Sequence, residues 1–517
     1  MAPTFCNRCG DAVVEEGRGC DPRDELAELD ALLKRLILKR YDLKRKINRF
    51  YSPIIRLLPP DVMSTIFEFC LPDFTVYQTY RSEKVFTPLS LGAVCSYWRD
   101  IAWSTPTLWS LLVVRDPSRY EPHIVTSMAK EWLDRSGRLP LSIRILSTLD
   151  DNESVSALVD IIGQYSNRWF DLHLNLPFHR YQLFHATDNH APILKSIRLH
   201  SNTIAIACNL NFQLTCPRLE RASLLNFPLY GTNIQWDNLT HLTFHSTSMF
   251  DFFLILRKTP RLVFCEVSGY CSYRRFEEES IEAPVLTSLR SLHLRVDIDA
   301  DKLLDNLIAP HLEEFSLPRH HYDPPTENIT SFLRRSACSL RSLSITFQEY
   351  SERYMNLLQS IPSLNTLSIR SLGIGALAIT SPDDHDSRNI FQLAAKVLFS
   401  QSTSHRQGFL PNLKILEYTG ELYYLQSGIY EDLYPLPPVD NAVHGPLQLL
   451  KLDLHSSRTR VPKKLISYIS SLRERGVTVN VSSYSEDILQ CSIDYYKCRE
   501  DFLCRDWIEH FDSTLFS

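Results

Sequence analysis

The sequence predicts an α/β protein, with a long amino-terminal helix and a small all-α module ahead of a long array of short strands. The main observation is an apolar triplet whose second and third members follow the first by three and five positions. It occurs eleven times, and the first eight intervals are 20 to 28 residues long. Such intervals are typical of leucine-rich repeats, which stack parallel strands with helices or loops on the convex side. We therefore expect an irregular leucine-rich-repeat solenoid over residues 115–481. The triplets begin at Trp169, Leu194, Leu219, Leu239, Leu262, Leu289, Leu312, Leu340, Leu364, Leu413 and Leu449.

Residues 24–50 form the second observation, because apolar residues recur there at alternating steps of three and four. No proline or glycine interrupts the stretch, and only Arg40 breaks the apolar seam, so the pattern predicts a coiled-coil helix and self-association through it. Eight basic residues lie between 34 and 49, where a solvated helix face and a nuclear-import or nucleic-acid patch are the alternatives. Their placement between seam positions favours the solvated face. The seam residues are Leu26, Leu29, Leu33, Leu36, Leu43, Ile47 and Phe50.

Residues 1–23 precede this helix and contain Cys6, Cys9 and Cys20. A CxxC pair followed by glycine is half of a zinc knuckle, but a structural zinc needs four ligands. No second CxxC pair and no paired histidines follow nearby. We therefore predict a flexible tail and no metal site, with zinc binding as the alternative.

Residues 51–114 combine several motifs in a fixed order: LPPD at 58–61, VCSYWR at 94–99 and STPTLW at 104–109. Pro59 and the following apolar spacing predict a first helix, and the residues around Trp98 predict a second amphipathic helix. This constellation resembles the F-box-like domain that is abundant in mushroom-forming fungi. It departs from the compact F-box in the longer loop at 72–88.

The resemblance implies a three-helix module that docks on the Skp1 adaptor of a cullin-RING ubiquitin ligase. A surplus of apolar side chains over what a small core can bury is consistent with docking, although Trp98 and Trp109 could instead only pack that core. The residues that match the family's docking surface are Leu58, Pro59, Val62, Ile66, Phe67, Leu91, Val94, Cys95, Trp98 and Trp109.

The repeat array departs from a regular one, because the asparagine or cysteine expected after each strand is mostly missing. The interval between Leu364 and Leu413 is twice the usual period, so we expect an insertion at about 374–408 with one helix near 388–400. Residues 123–146 are expected to form an amino-terminal helix and strand, and 477–481 a last strand. Residues 482–517 are predicted to be a carboxy-terminal tail.

Between the core leucines of the array, polar residues are expected to line the concave face, where a protein target would bind. The amino half of this strip is rich in histidine and arginine, which suits a phosphopeptide or an acidic segment. An ordinary solvated polar face is the alternative. The candidate target-binding residues are Arg198, His200, His245, His293, Arg295 and Arg370.

Composition argues against catalysis, because only 15 glycines stand beside 29 prolines and no nucleotide-binding glycine motif occurs. No HExxH or GxSxG motif is present either, so we predict no enzyme activity and no cofactor. A net charge of −5 argues against nucleic acid as a partner, and no apolar run is long enough for a membrane span. Scattered cysteines without a secretory leader indicate reduced thiols in the cytoplasm or nucleus. The predicted function is that of a substrate-receptor subunit of a Skp1–cullin–RING ligase, and the alternative is a non-ligase scaffold that dimerises through residues 24–50.

Overall fold

The structure is a computed structural model of the 517-residue chain. It divides into two compact units, Met1–Leu112 with Met128–Leu141 (unit 1) and Val113–Ser127 with Ser142–Ser517 (unit 2). The residues that it describes are 4–5, 12–13, 22–51, 57–71, 87–147, 153–185, 190–201, 212–227, 229, 232–245, 249–269, 283–296, 300–317, 324–347, 351–371, 394, 397, 410–420, 447–454, 461, 463–483 and 486–500.

Unit 1 is mainly helical. Its elements are a two-stranded antiparallel pair, β1 (Thr4–Phe5) and β2 (Ala12–Val13), and the helices α1 (Pro22–Tyr51), α2 (Pro60–Cys70), α3 (Pro88–Gly92) and α4 (Ser96–Ser104), followed by a 3-10 turn at Pro106–Trp109. Helix α5 (Pro122–Arg135) contributes its residues from Met128 onward.

The starts of the short helices follow from their sequences. Pro60 occupies the first turn of α2, where a missing N–H costs nothing. Thr87 caps α3, because its hydroxyl accepts a hydrogen bond from the Ser90 amide at 3.3 Å and the Ser90 hydroxyl accepts one from the Thr87 amide. Cys95 caps α4 through its Sγ atom, which lies 3.5 Å from the Trp98 amide nitrogen.

A single apolar cluster holds these helices together. Its largest side chain is Trp109, whose indole N–H donates to the Ala102 carbonyl at 2.7 Å. The Trp109 ring meets the Trp103 and Trp132 rings edge-on, with centroids 5.2 and 4.8 Å away. The buried members are Met63, Phe67, Leu91, Ile101, Ala102, Leu108 and Trp109.

Gly92 lies where this core leaves no room for a side chain. A Cβ atom there would stand 2.1 Å from the Trp103 ring. We therefore expect Gly92→Ala to destabilise unit 1 by about 1–3 kcal/mol, the usual cost of overpacking a core, measured as a lower midpoint in thermal or urea unfolding of the full chain. The smaller ring in Gly92→Ala/Trp103→Phe should recover part of the loss. Equal midpoints for wild type and Gly92→Ala would contradict the packing.

Unit 2 is built on a long sheet of short parallel strands. The sheet runs in the order β19-β18-β17-β16-β15-β14-β13-β12-β11-β10-β8-β6-β5-β4-β3. Among the strand pairs of this sheet whose register the structure describes, only β18–β19, at one edge, is antiparallel. A second, two-stranded parallel sheet pairs β7 with β9. The strands are β3 (Leu111–Arg115), β4 (Leu141–Leu146), β5 (Trp169–Leu176), β6 (Ser196–Ser201), β7 (Phe212–Leu214), β8 (Arg221–Leu225), β9 (Thr232–Ile234), β10 (His241–His245), β11 (Phe264–Gly269), β12 (Ser291–Val296), β13 (Glu314–Leu317), β14 (Ser342–Phe347), β15 (Thr366–Ser371), β16 (Ile415–Gly420), β17 (Leu449–Leu454), β18 (Thr478–Ser483) and β19 (Glu486–Asp487).

Helices and 3-10 turns connect many of these strands. Aromatic residues of two of these helices pack against rings on the strands. The ring centroids of Phe244 and Phe252 lie 5.7 Å apart, and those of Phe347 and Tyr354 lie 4.1 Å apart. The helices are α6 (Glu153–Gly163), α7 (Met249–Arg257), α8 (Ala300–Asp305), α9 (Thr326–Ser336), α10 (Glu352–Gln359), α11 (Lys463–Glu474) and α12 (Ile488–Glu500), and the turns are Pro117–Arg119, Ser166–Arg168 and Phe178–His185. The mixed α/β class predicted from the sequence is confirmed.

The strand register pairs the apolar triplets with one another. Leu172, Ile197 and Ala222 are register partners, and so are their counterparts two residues later. The eleventh triplet is the exception, because Leu450 rather than Leu452 pairs with Leu416. The prediction that this copy begins at Leu449 is therefore wrong by two residues. The segment also fits the apolar pattern if the triplet begins at Leu447, and the pairing with β16 corresponds to this start.

Several other predicted elements can be located. Strand β18 overlaps the predicted last strand at 477–481 from Thr478 onward and extends to Ser483, and α12 forms part of the predicted tail. Ala394 and Val397 are helical and buried, within the stretch where a helix was predicted. The rest of the insertion at 374–408, and the cysteines of the tail at 1–23, lie outside the described residues.

Candidate protein-binding surfaces

Helix α2 carries two apolar stripes on different faces. Met63 and Phe67 are buried in the core of unit 1. Val62, Ile66 and Phe69 follow one another by four and three positions, so they share a second face, and they are 39%, 40% and 86% exposed. We call these three residues the α2 stripe.

The ten residues predicted to contact the adaptor divide by burial. Phe67, Leu91 and Trp109 lie inside the core of unit 1, so they can support a docking surface but cannot touch a partner directly. The half-buried residues are Leu58, Cys95 and Trp98, and the exposed ones are Pro59, Val62, Ile66 and Val94.

Sequence reasoning left out two strongly exposed apolar residues. Phe69 is 86% exposed and Leu57 is 76% exposed. The spacing from Val62 and Ile66 to Phe69 places all three on one helix face, so this spacing could have added Phe69 to the predicted surface. No comparable pattern marks Leu57.

Polar contacts fix α2 against the turn at Pro106–Trp109. The Thr107 hydroxyl donates to the Glu68 carboxylate, and the Ser64 and Thr105 hydroxyl oxygens lie 3.0 Å apart. Between α4 and α3, Arg99 donates through Nε to the Gly92 carbonyl at 2.9 Å. The exposed stripe therefore sits on a helix that is held in place by both core packing and hydrogen bonds.

On the strands of unit 2, one residue lies between the two buried apolar residues of each triplet, and these intervening residues are mostly polar. We call them the first polar row. Because the strands are in parallel register, the row crosses successive strands as adjacent partners. On β17 the row continues with Lys451, which is the register partner of Glu417. The members of the row are His173, Arg198, Ser223, Thr243, Glu266, His293, Ser316, Ser344, Ser368 and Glu417.

A second polar row lies two residues further along the strands. It brings His200, His245 and Arg295 onto one line across β6 to β12, with Leu225 and Ser268 between them. Arg370 occupies the corresponding position on β15, where its register partners are Thr346 and Thr419. Five of the six predicted target-binding residues therefore lie on β6, β10 and β12, within a run of five neighbouring strands, and Arg370 lies beyond β13 and β14.

The charge of these rows is lower than the sequence suggests. Arg295 Nε lies 3.0 Å from the Glu266 carboxylate, so part of its charge is compensated. Burial, together with nearby Arg198, Arg144 and His200, lowers the pKa of His173 to about 4. Desolvation also lowers the pKa of the three predicted target-binding histidines. The lowered pKa values favour the neutral form of these histidines, which offers hydrogen bonds rather than positive charge.

Among the residues that the structure describes, no group of three or more His, Cys, Asp or Glu side chains is placed to hold a metal ion. Within the same part of the chain, no helix combines the length and the apolar character that crossing a bilayer requires.

The chain matches no protein-family model, and its sequence matches no curated protein.

Proposed function

We propose that this chain is a non-catalytic F-box substrate receptor of a Skp1–cullin–RING ubiquitin ligase. The module at 51–114 would hold the Skp1 adaptor, and the array at 115–481 would hold a protein target. Such a receptor needs no acid–base chemistry, because it acts by raising the effective concentration of the target near the ligase.

The observation that carries the proposal is the α2 stripe. Unit 1 already has a closed core, with Met63, Phe67 and Trp109 almost fully buried. Three large apolar side chains that remain exposed on one face of α2 have no role in that core, and contiguous apolar patches of this kind mark partner-binding sites. The stripe directly follows the LPP motif at 58–60, in the segment where the F-box resemblance implies contact with the adaptor.

For the target, we propose that the parallel strands form a leucine-rich-repeat solenoid whose polar rows are the binding face. The in-register triplets and the helices between many strands support this architecture. The mixed character of the rows, with neutral histidines, Arg198 and the Arg295–Glu266 pair, favours a target that offers hydrogen-bonding groups of both kinds.

The test is adaptor binding by surface variants of α2. Val62→Asp/Ile66→Asp places two charges in the α2 stripe without touching the core, and we expect adaptor affinity to fall at least about 30-fold, as for interface hot spots. Lys130→Asp is the matched control, since it changes the charge by the same two units at an exposed position of α5 in unit 1, outside the stripe, and it should bind like wild type. Binding is measured by co-purification and by titration with purified Skp1. Equal affinity of the stripe variant and wild type would refute the site.

A non-ligase scaffold is the second candidate, and the exposed seam of α1 favours it. Such a scaffold would self-associate, and neither Skp1 nor cullin would co-purify with it. Mass spectrometry of proteins purified with the full chain under proteasome inhibition separates the two functions.

A further inference from the structure

Helix α1 is a long helix whose apolar seam is uncovered. Its 30 residues correspond to about 45 Å of helix. Every side chain that the structure describes on α1 is exposed. The seam leucines at 26, 29, 33, 36 and 43, with Ile47 and Phe50, are 51% to 69% exposed. An apolar seam of this length is stable in water when a second helix covers it.

Arg40, the arginine in the seam, discriminates between a parallel and an antiparallel second helix. In heptad notation Leu26 is an a position, so Arg40 is also an a position. A parallel pair of identical helices would set Arg40 directly against its own copy. In an antiparallel pair with all eight seam layers matched, Arg40 faces Leu36 of the other copy, and its aliphatic stem can lie along that leucine while the guanidinium reaches water.

The flanking charges discriminate between the two orientations. In a parallel pair, Glu25 would face Asp30 and Lys39 would face Lys44, so every charged flanking pair would be of like sign. In an antiparallel pair, Asp30 faces Lys44 twice by symmetry. The only like pair is then Lys39 with its own copy, and Ile37 packs on Ile37 at the centre.

We infer that α1 is covered by α1 of a second copy of this chain, in antiparallel orientation. The acidic start of one helix then lies beside the basic end of the other, which removes the repulsion that a parallel pair would build in. The inference stands independently of the adaptor and target proposals, because it uses only residues of α1.

The oligomeric state is tested first, by light scattering on the full-length protein. The expected mass is twice the 59.8 kDa of one chain. Leu33→Asp, in the seam, should return the protein to a monomer. Leu38→Asp is the matched control, because Leu38 is exposed on the outer face of the same helix and its replacement should leave the dimer intact. A monomeric wild type, or a dimer that survives Leu33→Asp, overturns the inference.

The orientation is tested by charge reversal. Asp30→Lys should weaken the antiparallel dimer about tenfold, because two attractive pairs become repulsive, and Asp30→Lys/Lys44→Asp should restore it. In a parallel dimer Asp30→Lys would instead tighten association, by facing Glu25. Tighter association of Asp30→Lys, or failure of the double variant to recover, would contradict the antiparallel pair.

Carbodiimide cross-linking of mixed ¹⁴N- and ¹⁵N-labelled chains gives an independent readout. It should join Asp30 of one chain to Lys44 of the other. Within one helix these residues are about 21 Å apart, so a zero-length link between them can only be intermolecular. Absence of this link in a protein that is dimeric by light scattering also overturns the orientation.

Discussion

Trp109→Ala is expected to unfold the helical module of unit 1. Trp109 is 1% exposed, and its indole packs against Trp103, Trp132 and the guanidinium of Arg135, whose Cζ lies 4.7 Å from the ring centroid. Removing a buried tryptophan costs about 3–5 kcal/mol through lost burial and the cavity left behind. The hydrogen bond to the Ala102 carbonyl is lost as well. A small helical module has little stability beyond that amount.

Hydrogen exchange of the full-length protein measures this effect by region. Amides in α2 and α4 should lose protection in Trp109→Ala, whereas those in β14 and β15 of unit 2 should keep it. Trp109→Phe is the conservative control, since it retains an aromatic ring in the core and should lose much less. Unchanged protection in α2 would mean that Trp109 does not hold the core.

Acid destabilisation of unit 2 is expected to depend on His173. In the folded chain the pKa of His173 is about 4, against 6.5 for an ordinary histidine in the unfolded chain, so between these pH values the unfolded chain binds a proton that the folded chain does not. Stability therefore falls as the pH falls through this window, by up to about 3 kcal/mol, and is fully recovered above it.

Urea unfolding of the wild type and His173→Gln at several pH values measures this contribution. The variant should lose less stability between about pH 7 and about pH 4.5, since its side chain takes up no proton in either state. Arg198→Gln should give an intermediate result, because Arg198 contributes to lowering the histidine pKa. Identical pH dependence of wild type and His173→Gln would show that His173 is not the group responsible.

The strand array was largely predictable because its pattern repeats. Each triplet places two buried apolar residues at period two on a strand, and the first apolar residue in the turn before it. For β17, the pattern alone does not determine which leucines form the triplet. Leu447, Leu449, Leu450, Leu452 and Leu454 satisfy two overlapping triplets, and pairing with β16 selects between them.

The candidate docking surface was harder to predict. Phe67 and Ile66 are neighbours in one apolar run, yet one is fully buried and the other is 40% exposed. Helical spacing shows that they lie on different faces but does not say which face meets the core. That depends on where the indole of Trp98 lies, with its centroid 5.0 Å from that of Phe67. The lowered histidine pKa values were likewise unpredictable, since they follow from burial by neighbouring strands.

The order of strands in the long sheet has a consequence for how the chain acquires its structure. From β10 to β18, each strand pairs with the strand next to it along the chain, so most pairings close loops of about one repeat and contact order is low. During synthesis, each strand can therefore add to a finished neighbour as it emerges from the ribosome. The slowest addition should be β16 onto β15, because the connecting segment is the longest between paired strands and its closure costs the most chain entropy.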